Sequence, residues 1–151
     1  MEREFDFYQI MNGDYMKLAI LIAEKTIETS DKLLILAPAD QLSDLSNKLW
    51  SEKKDSFFAH GLLDEDLSDY APIWLSSKVE DNPIHADTVM LINGLGIENL
   101  TKFKHIFYLF NGSSEKELEL ARRHWRDWSS RPKHVCRYFS QIASDGWQQQ
   151  K

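Results

Sequence analysis

The sequence predicts an α/β protein with a three-layer α/β/α arrangement, in which the central sheet is mostly parallel. Two short apolar runs, Lys32–Ala37 and Asp87–Asn93, have the continuous hydrophobic character of strands buried on both faces. Segments with helical periodicity lie between such runs, and an alternating strand–helix order favours parallel pairing. At 151 residues the chain is expected to form a single domain, residues 1–151, with a frayed tail at residues 148–151.

The first half of the chain predicts two strands and two helices in alternation. Glu4–Ile10 alternates and is rich in aromatic residues, which indicates a strand. Apolar residues then recur with a strict i, i+3, i+4, i+7 spacing over residues 15–27, the clearest helical period in the sequence. Lys32–Ala37 follows as the second strand. Pro38 and Asp40 open a second helix, which ends near Trp50.

The remaining strands are shorter or less regular. Ser56–Leu62 is a short apolar stretch that indicates an edge strand. Ala71–Leu75 is another strand candidate, in which Pro72 indicates either an edge position or a strand start. Further strands are predicted at Asp87–Asn93, His105–Phe110 and Val135–Ile142.

Ser114–Trp128 is predicted to be one amphipathic helix. Ser114 and Glu117 have the spacing of a capping box, in which a hydroxyl and a carboxylate satisfy free amides of the first turn. The apolar residues of this helix share one face because of their spacing, and they are Leu118, Ala121, Trp125 and Trp128.

Three arginines accompany the two tryptophans of this helix. Arg122 and Arg126 are four residues apart and therefore stack on a neighbouring face, with Arg123 beside them. Trp and Arg are the residue types enriched where another protein docks. The sequence thus indicates a binding surface here, and leaves open which of Trp125 and Trp128 is exposed.

The composition limits the classes of function. A net charge of −6 argues against a protein that covers DNA by itself, because nonspecific DNA affinity comes from neutralising phosphates. The single cysteine excludes an internal disulfide and favours a reducing compartment. The N-terminus has no signal-peptide form, and no apolar run approaches the roughly 18 residues of a membrane span. We therefore expect a cytoplasmic protein without membrane contact.

The motifs of nucleotide, metal and catalytic sites are incomplete. Asn93–Gly96 follows a strand, but Asn99 occupies the place of the third glycine of a dinucleotide motif. The five histidines show no metal-ligand spacing. Cys136 falls within an apolar strand, without a nucleophile-elbow sequence. The sequence thus gives no positive evidence for an enzyme, a cofactor or a metal.

A set of residues spread over nearly the whole chain is similar to a known family. The set comprises Phe7-Tyr8, Ala19, Ala23, Leu33–Leu36, Leu49-Trp50, Ser56-Phe57, His60, Leu62, Ala71–Ile73, Asp87, Leu120–Arg122 and Gly146-Trp147. Each motif alone is weak, but their order and spacing resemble the chi subunit of bacterial DNA polymerase III.

This resemblance implies a non-catalytic accessory protein of DNA replication. The family has a nucleotide-binding-like α/β/α fold without a nucleotide site. Its members join the clamp loader through the psi subunit. They also bind the acidic C-terminal tail of single-stranded-DNA-binding protein, which ends in phenylalanine, and so address DNA only indirectly.

The resemblance also assigns site residues. Arg122, Trp125 and Arg126 match an Arg, a Tyr and a Lys of the family's tail-binding site, and Arg123 and Trp128 lie beside them on the same helix. The psi-facing surface is expected at Trp50 and Phe57. Ala59 replaces a proline of that stretch, so a helicase-like partner is an alternative occupant of this patch.

Two other functions compete with the adaptor. An α/β enzyme that binds a nucleotide or small molecule would need a polar pocket at the carboxyl ends of the strands, for example around Asp40, Asn93 and Asn111. Direct binding of single-stranded DNA by the Arg/Trp face would depend on base stacking. The latter predicts that poly-dT competes with the tail peptide.

Overall fold

The computed structural model describes most of the chain, namely residues 3–11, 15–29, 32–52, 60–62, 73–77, 84–92, 103–141 and 147–150. These residues form eight strands, three α-helices and one 3-10 turn, Ala39–Gln41. The strands are β1 Arg3–Ile10, β2 Leu33–Leu36, β3 His60–Leu62, β4 Ile73–Ser76, β5 Thr88–Ile92, β6 His105–Asn111, β7 His134–Gln141 and β8 Trp147–Gln149. The helices are α1 Met16–Glu28, α2 Leu42–Glu52 and α3 Glu115–Ser129.

All eight strands belong to one sheet, in the order β3-β4-β2-β5-β6-β1-β7-β8. Every described neighbouring pair is parallel, with the exception of β7 and β8. The predicted mostly parallel sheet is therefore confirmed. The first strand lies in the interior of the sheet, between β6 and β7, and its register pairs Phe7 with both Tyr108 and Tyr138.

The helices form layers on both faces of the sheet. The chain passes from β1 to β2 in one direction along the sheet and from β6 to β7 in the opposite direction, and right-handed crossovers then place α1 and α3 on opposite faces. Leu18 of α1 and Leu45 of α2 belong to one buried cluster, and Ala121 and Trp128 of α3 belong to the other. The three-layer prediction is thus confirmed.

Two details of the predicted strands change. β4 pairs with β2 on one side and β3 on the other, so an edge position for this strand is wrong, whereas a start at Ile73 agrees with Pro72 as the preceding residue. β3 is the edge strand on this side of the sheet, as predicted for the Ser56–Leu62 run, but it covers only the last part of that run. Pro72 and residues 53–59 themselves lie outside the described residues.

The predicted frayed tail is wrong for residues 148–150. Gln148 and Gln149 are part of β8, which pairs antiparallel with β7. The backbone N–H of Gln150 also donates to the carbonyl of Tyr138 at 2.6 Å. These hydrogen bonds satisfy backbone groups that a free tail would leave to water, and they place Gln150 against the edge of the sheet.

A buried carboxylate connects three adjacent strands. Asp6 of β1 is 5% exposed, and its Oδ2 lies 2.6 Å from Nε2 of His105 in β6. Arg137 of β7 donates from Nε to Oδ1 of Asp6 at 2.6 Å and from Nη2 to Glu4 at 2.6 Å. Burial raises the pKa of the Asp6 carboxyl, but hydrogen bonds and charges from His105 and Arg137 outweigh burial and hold it below its usual value.

This network predicts an acid-sensitive contribution to stability. Because the pKa of Asp6 is lower in the folded chain, its contribution is present above the unfolded pKa of about 4 and is lost as pH falls through the folded pKa. We expect Asp6→Asn to lower the free energy of unfolding by about 1–3 kcal/mol at pH 7 and by less at pH 3. Urea unfolding between pH 7 and pH 3 measures the difference.

Asp127→Asn is the matched control for this experiment. Asp127 also accepts from an arginine, Arg131, at 3.2 Å, but both side chains are more than half exposed, so the pair contributes little. An Asp6→Asn protein as stable as the Asp127→Asn protein at pH 7 would contradict a stabilising role for the network.

Candidate functional site

The first turn of α3 is fixed by hydrogen bonds that differ in part from the predicted capping box. The Ser114 hydroxyl accepts from the Glu117 N–H at 3.3 Å, as predicted. The Glu117 carboxylate, however, accepts from the Asn111 N–H at 3.3 Å, and the Ser114 N–H donates instead to the Asn111 carbonyl at 3.1 Å. The reciprocal half of the box is therefore wrong, and Glu117 connects α3 to the end of β6.

A groove of about 940 Å³ lies between α3, the strands β1 and β7, and the residue that follows β8. Its helical wall includes both stacked arginines and one of the two tryptophans of α3. The lining residues are Gln9, Glu115, Leu118, Glu119, Arg122, Trp125, Arg126, Tyr138 and Gln150. We name this feature the α3 groove.

Trp125 is the tryptophan that faces the α3 groove. Its half-buried ring meets Phe7 edge-on, with centroids 5.3 Å apart at 77°, and meets Tyr138 at 5.7 Å and 85°. Trp128 is 7% exposed and packs against Phe5 at 4.8 Å and Phe7 at 5.6 Å. The structure thus settles which tryptophan reaches the surface, and it places Trp128 in the core because that side of α3 docks on β1.

The arginines divide between the groove and its surroundings. Arg122 and Arg126 are exposed and line the α3 groove. Arg123 is exposed too, but its position 100° further around the helix puts it outside the groove wall. Burial raises the pKa of the Tyr138 hydroxyl, and the positive charge of Arg122 partly opposes this rise. The Arg122 charge and the Tyr138 hydroxyl are therefore close enough to interact across the groove.

Charge is distributed unequally along the α3 groove. Glu115 and Glu119 line it near the start of the helix, and Arg122 and Arg126 line it one to two turns later. Each pair is one helical turn apart and so forms a stacked patch of one sign. An acidic ligand is consequently favoured at the arginine end and disfavoured at the glutamate end.

The floor of the groove comes from β1 and β7, two predicted strands that the sequence did not connect with the site. The Tyr138 hydroxyl donates to Oε1 of Gln9. The Gln9 side chain packs against Gly112, where a larger residue would not fit, since a Cβ on residue 112 would lie 2.5 Å from Cγ of Gln9. Alternation along β1 puts Phe5, Phe7 and Gln9 on one face, and this was the available signal for Gln9. No local pattern indicated Tyr138 or Gln150.

The other predicted site positions are only partly described. Trp50 lies in α2, whereas Phe57 and Ala59 lie outside the described residues. Asp40 lies in the 3-10 turn. Oδ1 of Asn111 accepts from the Ser113 N–H at 2.9 Å and so belongs to the turn before α3. Asn93 falls outside the described part of the chain, so the polar pocket expected around Asp40, Asn93 and Asn111 stays a prediction.

Catalytic and metal chemistry finds little support in the described part of the chain. No group of three or more His, Cys, Asp or Glu side chains there could hold a metal ion. Burial, with a smaller effect of the Asp6 charge, raises the pKa of the Cys136 thiol to about 11, so it is protonated and weakly nucleophilic at neutral pH. No helix among these residues is long and apolar enough to cross a membrane.

A comparison with protein families identifies the chain. The family model described as DNA polymerase III chi subunit, HolC, matches residues 1–135. That range includes β1, all of α3 and the first residues of β7, and it ends before Tyr138 and Gln150. No individual curated protein matches the chain. With most of its length matched and the expected α/β architecture present, the chain belongs to the DNA polymerase III chi subunit family.

Proposed function

We propose that this protein is a non-catalytic adaptor in the cytoplasm, which connects the DNA polymerase III clamp loader to single-stranded-DNA-binding protein. Membership of the chi family supports an accessory role in replication. The observation that carries the proposal is the α3 groove, in which Arg122 and Arg126 adjoin the ring of Trp125. This combination of cation and aromatic ring suits an acidic peptide that ends in phenylalanine.

The groove offers each part of such a peptide a matching group. The guanidinium of Arg122 can donate two parallel hydrogen bonds to a terminal carboxylate. The edge-on arrangement of Trp125 and Tyr138 leaves aromatic surface for the terminal ring. A volume of about 940 Å³ is large enough for several peptide residues rather than one side chain.

The charge of the protein supports indirect contact with DNA. The whole chain carries a net charge of −6, so repulsion opposes binding along a nucleic acid backbone. Arg122, Arg126 and the more distant Arg123 give a local positive potential, which attracts the aspartates of an acidic tail. Binding should therefore weaken as salt concentration rises.

The clamp-loader partner is proposed to bind a different surface. Trp50 and Phe57 are the positions that the family resemblance assigns to psi, with a helicase-like protein as the alternative. Trp50 belongs to α2, which lies on the opposite face of the sheet from α3. A partner on α2 therefore leaves the α3 groove accessible, as an adaptor requires.

A peptide titration tests the proposed tail binding. A fluorescein-labelled acidic peptide ending in Asp-Ile-Pro-Phe is titrated with the protein at low salt, and anisotropy reports binding. We expect saturable binding, and none for a peptide that lacks the final Phe, because the aromatic anchor would be missing. Unlabelled poly-dT is added to the complex as a competitor.

Each outcome separates the candidate functions. Binding that depends on the final Phe and resists poly-dT supports the adaptor. Displacement of the peptide by poly-dT would instead favour direct binding of single-stranded DNA through base stacking. Absence of binding by both peptides at low salt would contradict a tail-binding role for the α3 groove.

A further inference from the structure

Three cationic residues, with a histidine beside them, lie at the end of the sheet where β1 and β7 begin. The backbone N–H of Arg3 donates to the Lys133 carbonyl at 2.9 Å, and Arg3 is the register partner of His134. The backbone N–H of His134 donates to the Arg131 carbonyl at 3.2 Å. These contacts hold Arg3, Arg131, Lys133 and His134 together, and we name the group the basic end.

The basic end adjoins the last turn of α3. Nδ1 of His134 lies 3.0 Å from the Trp128 carbonyl, and the Arg131 N–H donates to the same carbonyl at 3.2 Å. The Arg3 guanidinium lies 5.1 Å from the ring centroid of Phe5, which in turn packs 4.8 Å from Trp128. Arg126 of α3 also lies near the basic end, since it is only two residues before Trp128.

Like charges crowd this end of the molecule. Burial lowers the pKa of Arg3, and the charge of Arg131 lowers it further. Burial also lowers the pKa of His134 despite its contact with Trp128, and the charges of Arg3 and Arg131 add to that effect. Asp127 pairs with Arg131, but both side chains are more than half exposed, so this pair screens the cluster weakly. Lys133 is exposed.

We propose that the basic end is a second contact surface for the acidic segment that precedes the terminal residue of a peptide bound in the α3 groove. The inference rests on the proposed function and adds the direction of the peptide. Glu115 and Glu119 disfavour aspartates at the opposite end of the groove. The acidic segment therefore runs past Arg126 toward Lys133.

The spacing sets which peptide residues make this contact. Tyr138 lines the groove, and His134 lies four residues earlier on β7, a distance of about 13 Å along a strand. An extended peptide covers the same length per residue. Aspartates about four or more positions before the terminal aromatic residue therefore reach the basic end, and shorter peptides do not.

The surroundings favour an acidic peptide over single-stranded DNA at this surface. The basic end continues the positive half of the groove, so one ligand can occupy both. Nonspecific binding of single strands also needs aromatic rings on which bases stack. The aromatic ring at the basic end, Phe5, is not available for stacking, because it is 1% exposed and packs against both Trp128 and His134.

Two peptides and three variants test the inference. The short peptide is Asp-Ile-Pro-Phe, and the long peptide has three additional aspartates before it. We expect the wild-type protein to bind the long peptide about tenfold more tightly. Lys133→Glu should reduce this advantage to about threefold or less and leave the Kd of the short peptide within about twofold. Asp127→Asn should tighten binding of the long peptide about twofold.

Lys116→Glu is the matched control, because Lys116 is also an exposed lysine but lies near the start of α3. It should leave the advantage of the long peptide unchanged. If the short peptide binds but the advantage is absent, or survives Lys133→Glu, the basic end is not a contact although the proposed function stands. If neither peptide binds, both proposals are overturned. If Lys133→Glu weakens only the binding of oligo-dT, the surface contacts nucleic acid instead.

Discussion

Arg122→Ala is expected to abolish measurable binding of the acidic peptide while the protein stays folded. The Arg122 guanidinium lines the α3 groove and is proposed to bind the terminal carboxylate of the ligand, and removal of such a contact typically weakens binding by about 30-fold or more. Arg122 is exposed, so its removal should change the free energy of unfolding by less than about 0.5 kcal/mol. Peptide anisotropy and urea unfolding measure the two effects.

Two further substitutions control for charge and geometry. Lys116→Ala removes a positive charge from α3 outside the groove and should leave the Kd nearly unchanged. Arg122→Lys keeps the charge but loses the planar pair of donors, so it should bind with intermediate affinity. An Arg122→Ala protein with wild-type affinity would remove the basis for this site assignment.

Trp128→Ala is expected to destabilise the fold by about 3–5 kcal/mol, the usual cost of deleting a buried large aromatic side chain. The ring is 7% exposed and contacts Phe5, Phe7 and Tyr108, so its loss would leave a cavity under α3. Urea unfolding followed by far-UV circular dichroism measures the change. At temperatures where the variant remains folded, we expect it to bind the peptide.

Leu21→Ala provides the matched control for stability, since Leu21 is a large apolar residue of α1 but is 43% exposed. Its substitution should cost less than about 1 kcal/mol. Trp125→Ala should destabilise the fold less than Trp128→Ala does, and it should weaken peptide binding more. A Trp128→Ala protein of wild-type stability that fails to bind would make Trp128 a ligand contact and contradict its position in the core.

The elements with strong local signals were predictable from the sequence. α1 has a regular apolar period, and β2 and β5 are continuous hydrophobic runs, so their existence and type follow from residues within each segment. β8 has no such signal. It contains two glutamines and is held by its pairing with β7, a tertiary contact that outweighs weak intrinsic propensity.

The candidate site divides in the same way. Helical spacing placed Arg122, Trp125 and Arg126 on adjoining faces, and these residues do line one groove. The same spacing put Trp125 and Trp128 on a single stripe, and only the docking of α3 onto β1 decides which of them is buried. Gln9 and Tyr138 are 129 residues apart in the chain, so their hydrogen bond depends on the sheet order.

The interior position of β1 has a consequence for synthesis on the ribosome. Both of its neighbours, β6 and β7, are synthesised late. Asp6 of β1 is 99 residues before its partner His105 in β6 and 131 residues before its partner Arg137 in β7. Throughout that interval a nascent chain carries an aromatic strand with two open edges, which invites aggregation or chaperone binding. Because β1 and β7 form the floor of the α3 groove, the groove is completed only after β7 has emerged.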